Sequence, residues 1–199
     1  MAKRLFDILF SAVVLLVLTP LLLAVAVWVR LDSPGPALFR QVRVGRGGRE
    51  FRILKFRTMH VDAPARGPQI TAGRDPRITR AGHVLRRYKI DEFPQFINVL
   101  VGDMSVVGPR PEVPRYVAMY PTATRELVLS VRPGITDLAS IEYRDESELL
   151  GRSADPERTY VDQVMPAKLA YCERYVRERS FVGDIGIIGR SFAASFVSR

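Results

Sequence analysis

The chain opens with a long apolar segment that differs from everything after it. Ile8 to Val29 is a run of 22 residues without a charged side chain, preceded by Lys3, Arg4 and Asp7 and followed by Arg30. A straight helix of this length would measure about 33 Å, enough to cross a hydrocarbon core of about 30 Å. The pattern therefore predicts an N-terminal segment embedded in a membrane.

Pro20 lies near the middle of this segment and predicts a break in its helix. A proline removes the backbone hydrogen bond to the carbonyl of Leu16, and Thr19 beside it can satisfy a freed backbone group. A cleaved signal peptide fits least well because the apolar stretch is too long. A single spanning helix fits the hydropathy. A re-entrant helix-break-helix hairpin over residues 1–31 fits the cationic residues at both ends, since such flanks prefer the cytoplasm.

After the apolar segment, short apolar elements alternate with turns rich in proline and glycine. Phe39 to Val44 and Phe51 to Arg57 are typical of two strands in a β-hairpin, and residues 62–74 of a polar loop long enough to be mobile over a site. Helices are expected over residues 85–90, 94–101, 113–120, 124–131, 156–165 and 166–179. We therefore predict a single α/β domain over residues 32–179, irregular and helix-rich with a small β-hairpin.

The last segment, residues 180–199, is predicted to be an amphipathic helix. Phe181, Ile185, Ile188 and Phe192 form one apolar stripe at helical spacing. A stripe of this kind usually packs on its own domain, and that is the expectation here.

Charge and cysteine content narrow the classes of partner. The formal net charge is +9, and 47% of the residues are hydrophobic. A basic surface suits nucleic acid, anionic lipid or a phosphorylated substrate. Phosphate and lipid fit better than nucleic acid, because aromatic residues do not interleave with the Arg and Lys clusters as base stacking requires. Cys172 is the only cysteine, so no intrachain disulfide forms, and its helical spacing with Leu169 and Val176 indicates a core position.

Two adjacent acids, Asp91 and Glu92, lie within a strongly cationic stretch that includes Arg86, Arg87 and Lys89. Neighbouring carboxylates repel each other, so cations, hydrogen bonds or a metal must keep both ionised. Pro94 follows closely and disfavours a helix through the acids, which places them at a junction between two helices. The simpler interpretation is an exposed ion pair between Arg87 and Asp91, worth about 0.3–0.5 kcal/mol.

Several motifs occur in order along most of the chain: Asp-Ser-Pro-Gly-Pro (32–36), Lys-Phe-Arg-Thr-Met (55–59), Asp-Pro-Arg-Ile-Thr (75–79), Leu-Arg-Arg (85–87), Asp-Glu-Phe-Pro-Gln (91–95), Asn-Val-Leu-Val-Gly-Asp-Met-Ser-Val-Val-Gly-Pro-Arg-Pro (98–111) and Arg-Pro-Gly-Ile-Thr (132–136). Together they closely resemble the bacterial sugar transferases called small monotopic phosphoglycosyl transferases. The combination of these motifs in this order is highly specific for that family.

The resemblance implies transfer of a phospho-sugar from a nucleotide-sugar donor, such as a UDP-sugar, to a polyprenol phosphate acceptor such as undecaprenyl phosphate, with release of UMP. Asp91 matches the family's nucleophile and Glu92 the second acid of its dyad, with Mg2+ held by both. Lys55, Arg86 and Arg110 match basic positions that bind substrate phosphate. The implied location is the cytoplasmic face of the bacterial inner membrane, at the first membrane step of a surface glycan or exopolysaccharide pathway. Apolar surface in contact with membrane lipid would permit a homodimer.

Departures from the family pattern leave some points open. This chain reads Thr136-Asp137-Leu138 where many relatives have Thr-Gly, which puts sugar or nucleotide specificity in doubt, and Lys89 stands where a small hydroxyl residue is common. Thr19 replaces a serine, which should preserve the break before Pro20. Two other functions remain open: a non-catalytic, membrane-bound basic module that recruits anionic lipids or partners, and a glycosyltransferase that releases nucleoside diphosphate.

Overall fold

Helices dominate the chain, and the sheets are small. A computed structural model describes residues 2–67, 70–73 and 75–196. The helices are α1 (Ala2–Asp32), α2 (Arg80–Arg87), α3 (Gln95–Val101), α4 (Pro114–Val117), α5 (Thr122–Leu129), α6 (Leu138–Glu142), α7 (Glu146–Gly151), α8 (Pro156–Thr159), α9 (Met165–Glu178) and α10 (Phe181–Phe196), and the strands are β1 (Leu38–Val44), β2 (Glu50–Phe56), β3 (Ser105–Val107) and β4 (Gly134–Thr136). This confirms the predicted helix-rich domain.

The predicted β-hairpin is present, with β1 and β2 antiparallel and Leu38 opposite Phe56. A second sheet was not predicted: β3 and β4 pair in parallel, with Ser105 opposite Gly134. Each of these strands has three residues, which is too short for the alternation that identifies a strand in sequence. The pairing matters because it fixes the segments that carry Arg110 and Asp137 beside each other.

Helix α1 is long and apolar enough to cross a membrane and is mostly exposed. The structure has one helix on both sides of Pro20, where a break was predicted, and the hydroxyl of Thr19 donates to the carbonyl of Leu15 at 2.6 Å. This bond occupies a carbonyl one turn earlier, next to the hydrogen bond that Pro20 cannot make. The re-entrant course of the segment in a membrane stays a prediction.

One face of α1 packs along the rest of the chain, while the opposite apolar face is exposed. Its buried residues, Asp7, Ser11, Val25 and Val29, lie near both ends of the helix. Near its start, the Ser105 hydroxyl and the Val106 amide donate to Asp7 at 2.8 and 3.1 Å. Both ends of α1 are thus attached to the same body.

The end of α1 is held by Arg57, which follows β2. Its guanidinium donates to the carbonyls of Val29 and Ser33 at 3.2 and 2.8 Å and to that of Pro36 at 2.7 Å. The Asp32 carboxylate accepts from the Ala81 amide at 3.0 Å, which joins α1 to the first turn of α2. Arg57 therefore serves the connection between α1 and the domain.

The C-terminal stripe packs on its own domain only in part. Ile188 packs against the core, and the ring of Phe181 lies edge-on to that of Phe6 in α1 with centroids 5.4 Å apart. The side chains of Phe181, Ile185 and Phe192 are nevertheless exposed. The buried Asp184 explains the rotation of α10, because its carboxylate contacts the Lys3 ammonium and accepts from the Tyr175 hydroxyl at 2.9 Å. The side of α10 that carries Asp184 and Ile187 consequently faces inward.

The predicted loop over residues 62–74 lies partly outside the described residues. Its described part includes a 3-10 turn at Ala63–Ala65. Arg77 fixes the end of this segment: its guanidinium donates to both oxygens of Asp75 and, at 3.0 Å, to the carbonyl of Ile70.

Candidate active site

The two adjacent acids lie on a short 3-10 turn, Ile90–Glu92, between α2 and α3. Lys89, directly before the turn, has a left-handed backbone with φ of 57°. A non-glycine residue rarely adopts this conformation, which is concentrated at functional sites and costs of order 1–3 kcal/mol. The predicted junction between two helices is confirmed, and Pro94 directly precedes the first residue of α3.

Glu92 is surrounded by cations. Lys55 of β2 donates to its Oε1 at 3.0 Å, Arg110 donates from Nη1 to its Oε2 at 3.1 Å, and Arg110 Nη2 also contacts Oε1. Burial alone would raise the pKa of Glu92, but Arg110 and Lys55 outweigh burial and hold that pKa well below its usual range. Glu92 is therefore an anion whose charge is already neutralised by protein groups.

Asp91 has a different environment although it is the next residue. It is 7% exposed, and no hydrogen-bond partner for its buried Oδ1 occurs among the described residues. Burial, and then the negative charge of Glu92, raise the pKa of Asp91. The exposed Arg87–Asp91 ion pair considered from the sequence is wrong, because Asp91 is buried and has no salt bridge in the described part of the chain. The pair thus consists of one neutralised carboxylate and one that is unpartnered.

Arg86 and Arg110 present their charge in different ways. Arg86 donates from Nε to the Thr58 hydroxyl at 2.9 Å and from Nη1 to the Thr71 hydroxyl at 3.1 Å, both neutral acceptors. Burial lowers the pKa of Arg86, yet a guanidinium stays protonated in proteins. Arg110 instead has its fork on Glu92, and that charge raises its pKa. Arg86 is consequently the better placed of the two to attract an added anion.

One cleft of about 1880 Å³ joins these residues to the apolar helix. The five predicted polar site residues all line it: Lys55, Arg86, Asp91, Glu92 and Arg110. Apolar side chains of α1, among them Phe10, Val14 and Leu18, line the same cleft. Thr19 and Pro20, the other predicted pair, are exposed on α1. The structure therefore brings the acids and cations of the predicted site together beside the membrane-type segment, while their individual roles stay predictions.

Asp137 supports the site through hydrogen bonds, a role that the sequence did not reveal. Its carboxylate is almost fully buried, accepts from the backbone amide of Arg110 at 3.1 Å, and caps α6 through the amide of Ser140 at 2.7 Å. The only sequence signal was the departure from the family pattern at this position. The buried Cys172 lies against the same carboxylate, at 3.8 Å, which confirms its predicted core position.

A second buried network borders the cleft. Arg43 of β1 donates to Glu112 at 3.0 Å and to the carbonyl of Pro111 at 2.9 Å, and the Tyr160 hydroxyl donates to the other oxygen of Glu112 at 2.5 Å. These bonds hold the segment that follows Arg110. The hydrophobic pattern of the hairpin gave no indication that Arg43 would turn inward.

The fit of the site to Mg2+ depends on its carboxylates. The described residues contain no group of three His, Cys, Asp or Glu side chains that could hold a metal. Mg2+ usually binds one or two carboxylates together with waters and substrate phosphates, so a large protein cage is unnecessary. Asp91 lines the cleft and has no salt bridge to any of the described cationic residues, whereas both oxygens of Glu92 face Arg110 or Lys55. Asp91 is therefore the carboxylate that fits a metal best.

Comparison with known proteins identifies a family model and several relatives that match this chain. The family model described as bacterial sugar transferase matches residues 1–198. An Aeromonas hydrophila protein named UDP-N-acetylgalactosamine-undecaprenyl-phosphate N-acetylgalactosaminephosphotransferase is 39% identical over 94% of this chain and 41% of its own length. The Escherichia coli K12 protein named UDP-glucose:undecaprenyl-phosphate glucose-1-phosphate transferase is 36% identical over 99% of this chain and 40% of its own length. A Rhizobium leguminosarum protein named exopolysaccharide production protein PSS is 53% identical over 54% of each chain.

Proposed function

The chain belongs to the bacterial sugar transferase family, and from that premise we propose that it transfers a phospho-sugar from a UDP-sugar to undecaprenyl phosphate or another polyprenol phosphate. The relatives named above carry UDP-sugar and undecaprenyl phosphate in their names. This chain spans about two fifths of the length of those two relatives. The activity would start a surface polysaccharide, as the exopolysaccharide relative suggests.

The observation that carries the proposal is the unequal environment of the two acids. Arg110 and Lys55 neutralise Glu92, while Asp91, on the wall of the cleft, has no side-chain partner in the part of the chain that the structure describes. A carboxylate outside a salt bridge is free to approach phosphorus, whereas a carboxylate held by two cationic side chains suits electrostatic support. This asymmetry supports nucleophilic attack by Asp91 and positioning by Glu92.

In the first step, a carboxylate oxygen of Asp91 attacks the sugar-bearing phosphorus of the donor. A bond forms between that oxygen and phosphorus, and the bond from phosphorus to the bridging oxygen of the diphosphate breaks. The bridging oxygen leaves with its electron pair as part of UMP. Arg86 and Lys55 line the cleft beside Asp91 and would stabilise the negative charge on the phosphoryl oxygens. The product is an aspartyl-phosphosugar.

In the second step, a phosphate oxygen of the polyprenol phosphate attacks the same phosphorus. The bond between phosphorus and Asp91 breaks, which regenerates the carboxylate and yields polyprenol diphosphate-sugar. Mg2+, if held at Asp91, would supply positive charge that makes attack by an anion on a negatively charged phosphoryl group easier. A covalent intermediate lets one cleft accept a water-soluble donor and then a lipid acceptor.

We further propose that α1 enters one leaflet and returns, with the domain on the cytoplasmic face of the inner membrane. Lys3 and Arg4, near the start of α1, donate to the carbonyls of Val107 and Val99 at 3.0 and 2.7 Å. Arg57 binds the opposite end of the helix. A helix with both ends bound to one body cannot have a bilayer between them while those contacts persist.

Capture of label tests the proposed chemistry. The protein in detergent, or in nanodiscs of lipid free of polyprenol phosphate, is mixed with UDP-sugar carrying 32P in the β-phosphate, and protein-bound label is counted after denaturation. We expect one label per chain, UMP as the released nucleotide, and no label in Asp91→Asn. Asp162→Asn, an exposed carboxylate in a helical ion pair, is the matched control and should capture label normally.

The outcomes separate the alternatives. A basic lipid-binding module would retain no label in any form of the protein. A glycosyltransferase would release UDP. Normal capture by folded Asp91→Asn would remove the assigned nucleophile.

A further inference from the structure

Asp91 and the fully buried Gln95 share an unusual feature. Asp91 Oδ1 and both polar atoms of the Gln95 side chain, Oε1 and Nε2, are buried without a hydrogen-bond partner in the described part of the chain. Gln95 has 0% exposure. Buried polar groups are almost always hydrogen-bonded, and an unpaired one in a native protein calls for an explanation.

The backbone places these two side chains on the same side of one helical segment. Asp91 lies in the 3-10 turn that ends at Glu92, and Phe93 and Pro94 continue in right-handed helical geometry, with φ of −56° and −59°, into α3. Side chains four residues apart on a helix are neighbours, with Cβ atoms about 5–6 Å apart. A glutamine amide at that spacing reaches a carboxylate by a change of rotamer.

We propose that Gln95 is a positioning residue for Asp91, whose Oδ1 accepts a hydrogen bond from the Gln95 amide while Oδ2 is directed at the donor phosphorus. This inference rests on the proposed function. Oδ1 is the buried oxygen and Asp91 lines the cleft, so Oδ2 is the oxygen that can face the substrate.

An amide has chemical advantages in this place. A lysine or arginine would form a salt bridge with Asp91 and weaken it as a nucleophile, whereas a neutral amide fixes the carboxylate and leaves its charge. After Oδ2 attacks, Oδ1 becomes the carbonyl oxygen of the acyl phosphate and remains a hydrogen-bond acceptor. The same amide then stabilises the charge that returns to Oδ1 when the acceptor displaces Asp91.

Helix α1 packs against α3 and carries another buried polar side chain. Arg4 bonds carbonyls at the end of α3, those of Val99 and Leu100, while Phe10 packs against Phe96 with ring centroids 6.0 Å apart. The two helices therefore run in opposite directions, and Ser11 lies toward the start of α3, where Gln95 is the first residue. The Ser11 hydroxyl is also fully buried and has no partner among the described residues. The Ser11 hydroxyl can therefore donate a hydrogen bond to Oε1 of Gln95 while Nε2 donates to Asp91.

The test compares Gln95→Leu and Gln95→Met with the wild type in single-turnover capture of label from 32P-labelled UDP-sugar. Both variants keep approximate volume and lack the amide donor. We expect the rate of capture at saturating donor to fall roughly 10- to 100-fold, with the half-saturating donor concentration within about threefold. Tm should fall by no more than it does in Val99→Ala, because Oδ1 of Asp91 loses its hydrogen-bond donor. Val99→Ala, a fully buried position of α3, is the structural control: its Tm should fall while capture by the folded protein stays normal.

Capture by both variants at rates within about twofold of the wild type would overturn the inference. A loss confined to donor affinity, or an equal loss of capture in Val99→Ala, would also overturn it. If Gln95→Leu does not fold, the more flexible Met side chain provides the same comparison. Absence of label in the wild type would instead reject the proposed function, so the two failures are distinguishable.

Discussion

At the scale of single residues, the site shows how two neighbouring acids acquire opposite properties. Asp91 and Glu92 have nearly the same chemistry in the sequence, yet burial raises the pKa of Asp91 while Arg110 and Lys55 depress that of Glu92. Titratable groups whose environments push their pKa values apart usually have different roles in a reaction. The left-handed backbone at Lys89 starts the turn that directs the two side chains to different surroundings.

The fork of Arg110 leads to a prediction about charge and geometry. Arg110→Lys keeps the positive charge but loses the two-pronged contact with Glu92, so we expect kcat/KM to fall about 10- to 100-fold, equivalent to roughly 1.4–2.7 kcal/mol. Steady-state release of UMP measures the change. Arg115→Lys, in a largely exposed pair with Glu157, should leave the rate unchanged. Equal activity of Arg110→Lys and wild type would show that charge alone suffices at this position.

The sequence indicated which residues come together in the cleft, but not which of them contact each other. Asp91, Glu92, Lys55, Arg86 and Arg110 belong to recognisable motifs, and all line the cleft. Which cation would bind which acid depends on distances across β2 and the segment after β3, and no periodicity carries that information. The buried role of Asp137 was hidden for the same reason, since its partners are backbone amides of Arg110 and Ser140.

At the scale of elements, local sequence patterns predicted the hairpin and the helix boundaries, whereas no pattern predicted which distant segments would pair. The hairpin and the helix boundaries around Pro94 followed from alternation, turns and proline, which are local effects. The parallel pairing of β3 with β4 joins residues far apart in the sequence. The orientation of α10 was missed because Asp184, a charged residue, is buried against Lys3 and Tyr175. An apolar stripe predicts an inward face only when no buried polar contact competes with it.

The contact between α1 and β3 gives a prediction for this scale. Asp7→Ala leaves the Ser105 hydroxyl and the Val106 amide without their shared acceptor, so the protein in detergent should lose about 2–4 kcal/mol of stability. At this chain length each kcal/mol corresponds to roughly 2–4 °C in Tm.

Scanning fluorimetry in detergent measures the shift of Tm. Leu9→Ala, on the exposed face of α1, is the control and should change Tm little. If α1 were an independent anchor joined to the domain only through its end, Asp7→Ala would behave like Leu9→Ala.

At the scale of the whole molecule, the cleft connects two environments. Its wall includes apolar side chains of α1 and the acids and cations of the site. Under the proposed function, this arrangement would let a lipid-borne phosphate and a soluble diphosphate reach the same carboxylate. Exposed apolar residues of α10, such as Val182 and Phe192, add to the apolar surface that α1 offers. The positive charge of the chain suits both anionic lipid and anionic substrate.

The attachment of both ends of α1 to one body yields a prediction about topology. Ala2 and Arg46, which are both exposed, are replaced separately by cysteine, and a membrane-impermeant maleimide is added to spheroplasts or to inverted vesicles. Because Lys3, Arg4 and Asp7 contact the same domain as Val29, we expect both Ala2→Cys and Arg46→Cys to react only in inverted vesicles.

The wild type is a suitable background for this experiment. Its single cysteine, Cys172, is buried, and burial together with Asp137 raises the pKa of the thiol, so the reactive thiolate is scarce at neutral pH. Unmodified protein should therefore give no signal from either side. Reaction of Ala2→Cys in spheroplasts, with Arg46→Cys reactive only in inverted vesicles, would mean that α1 spans the bilayer. The contacts of Lys3, Arg4 and Asp7 would then have to break in the membrane, whereas the chemistry assigned to Asp91 would be unaffected.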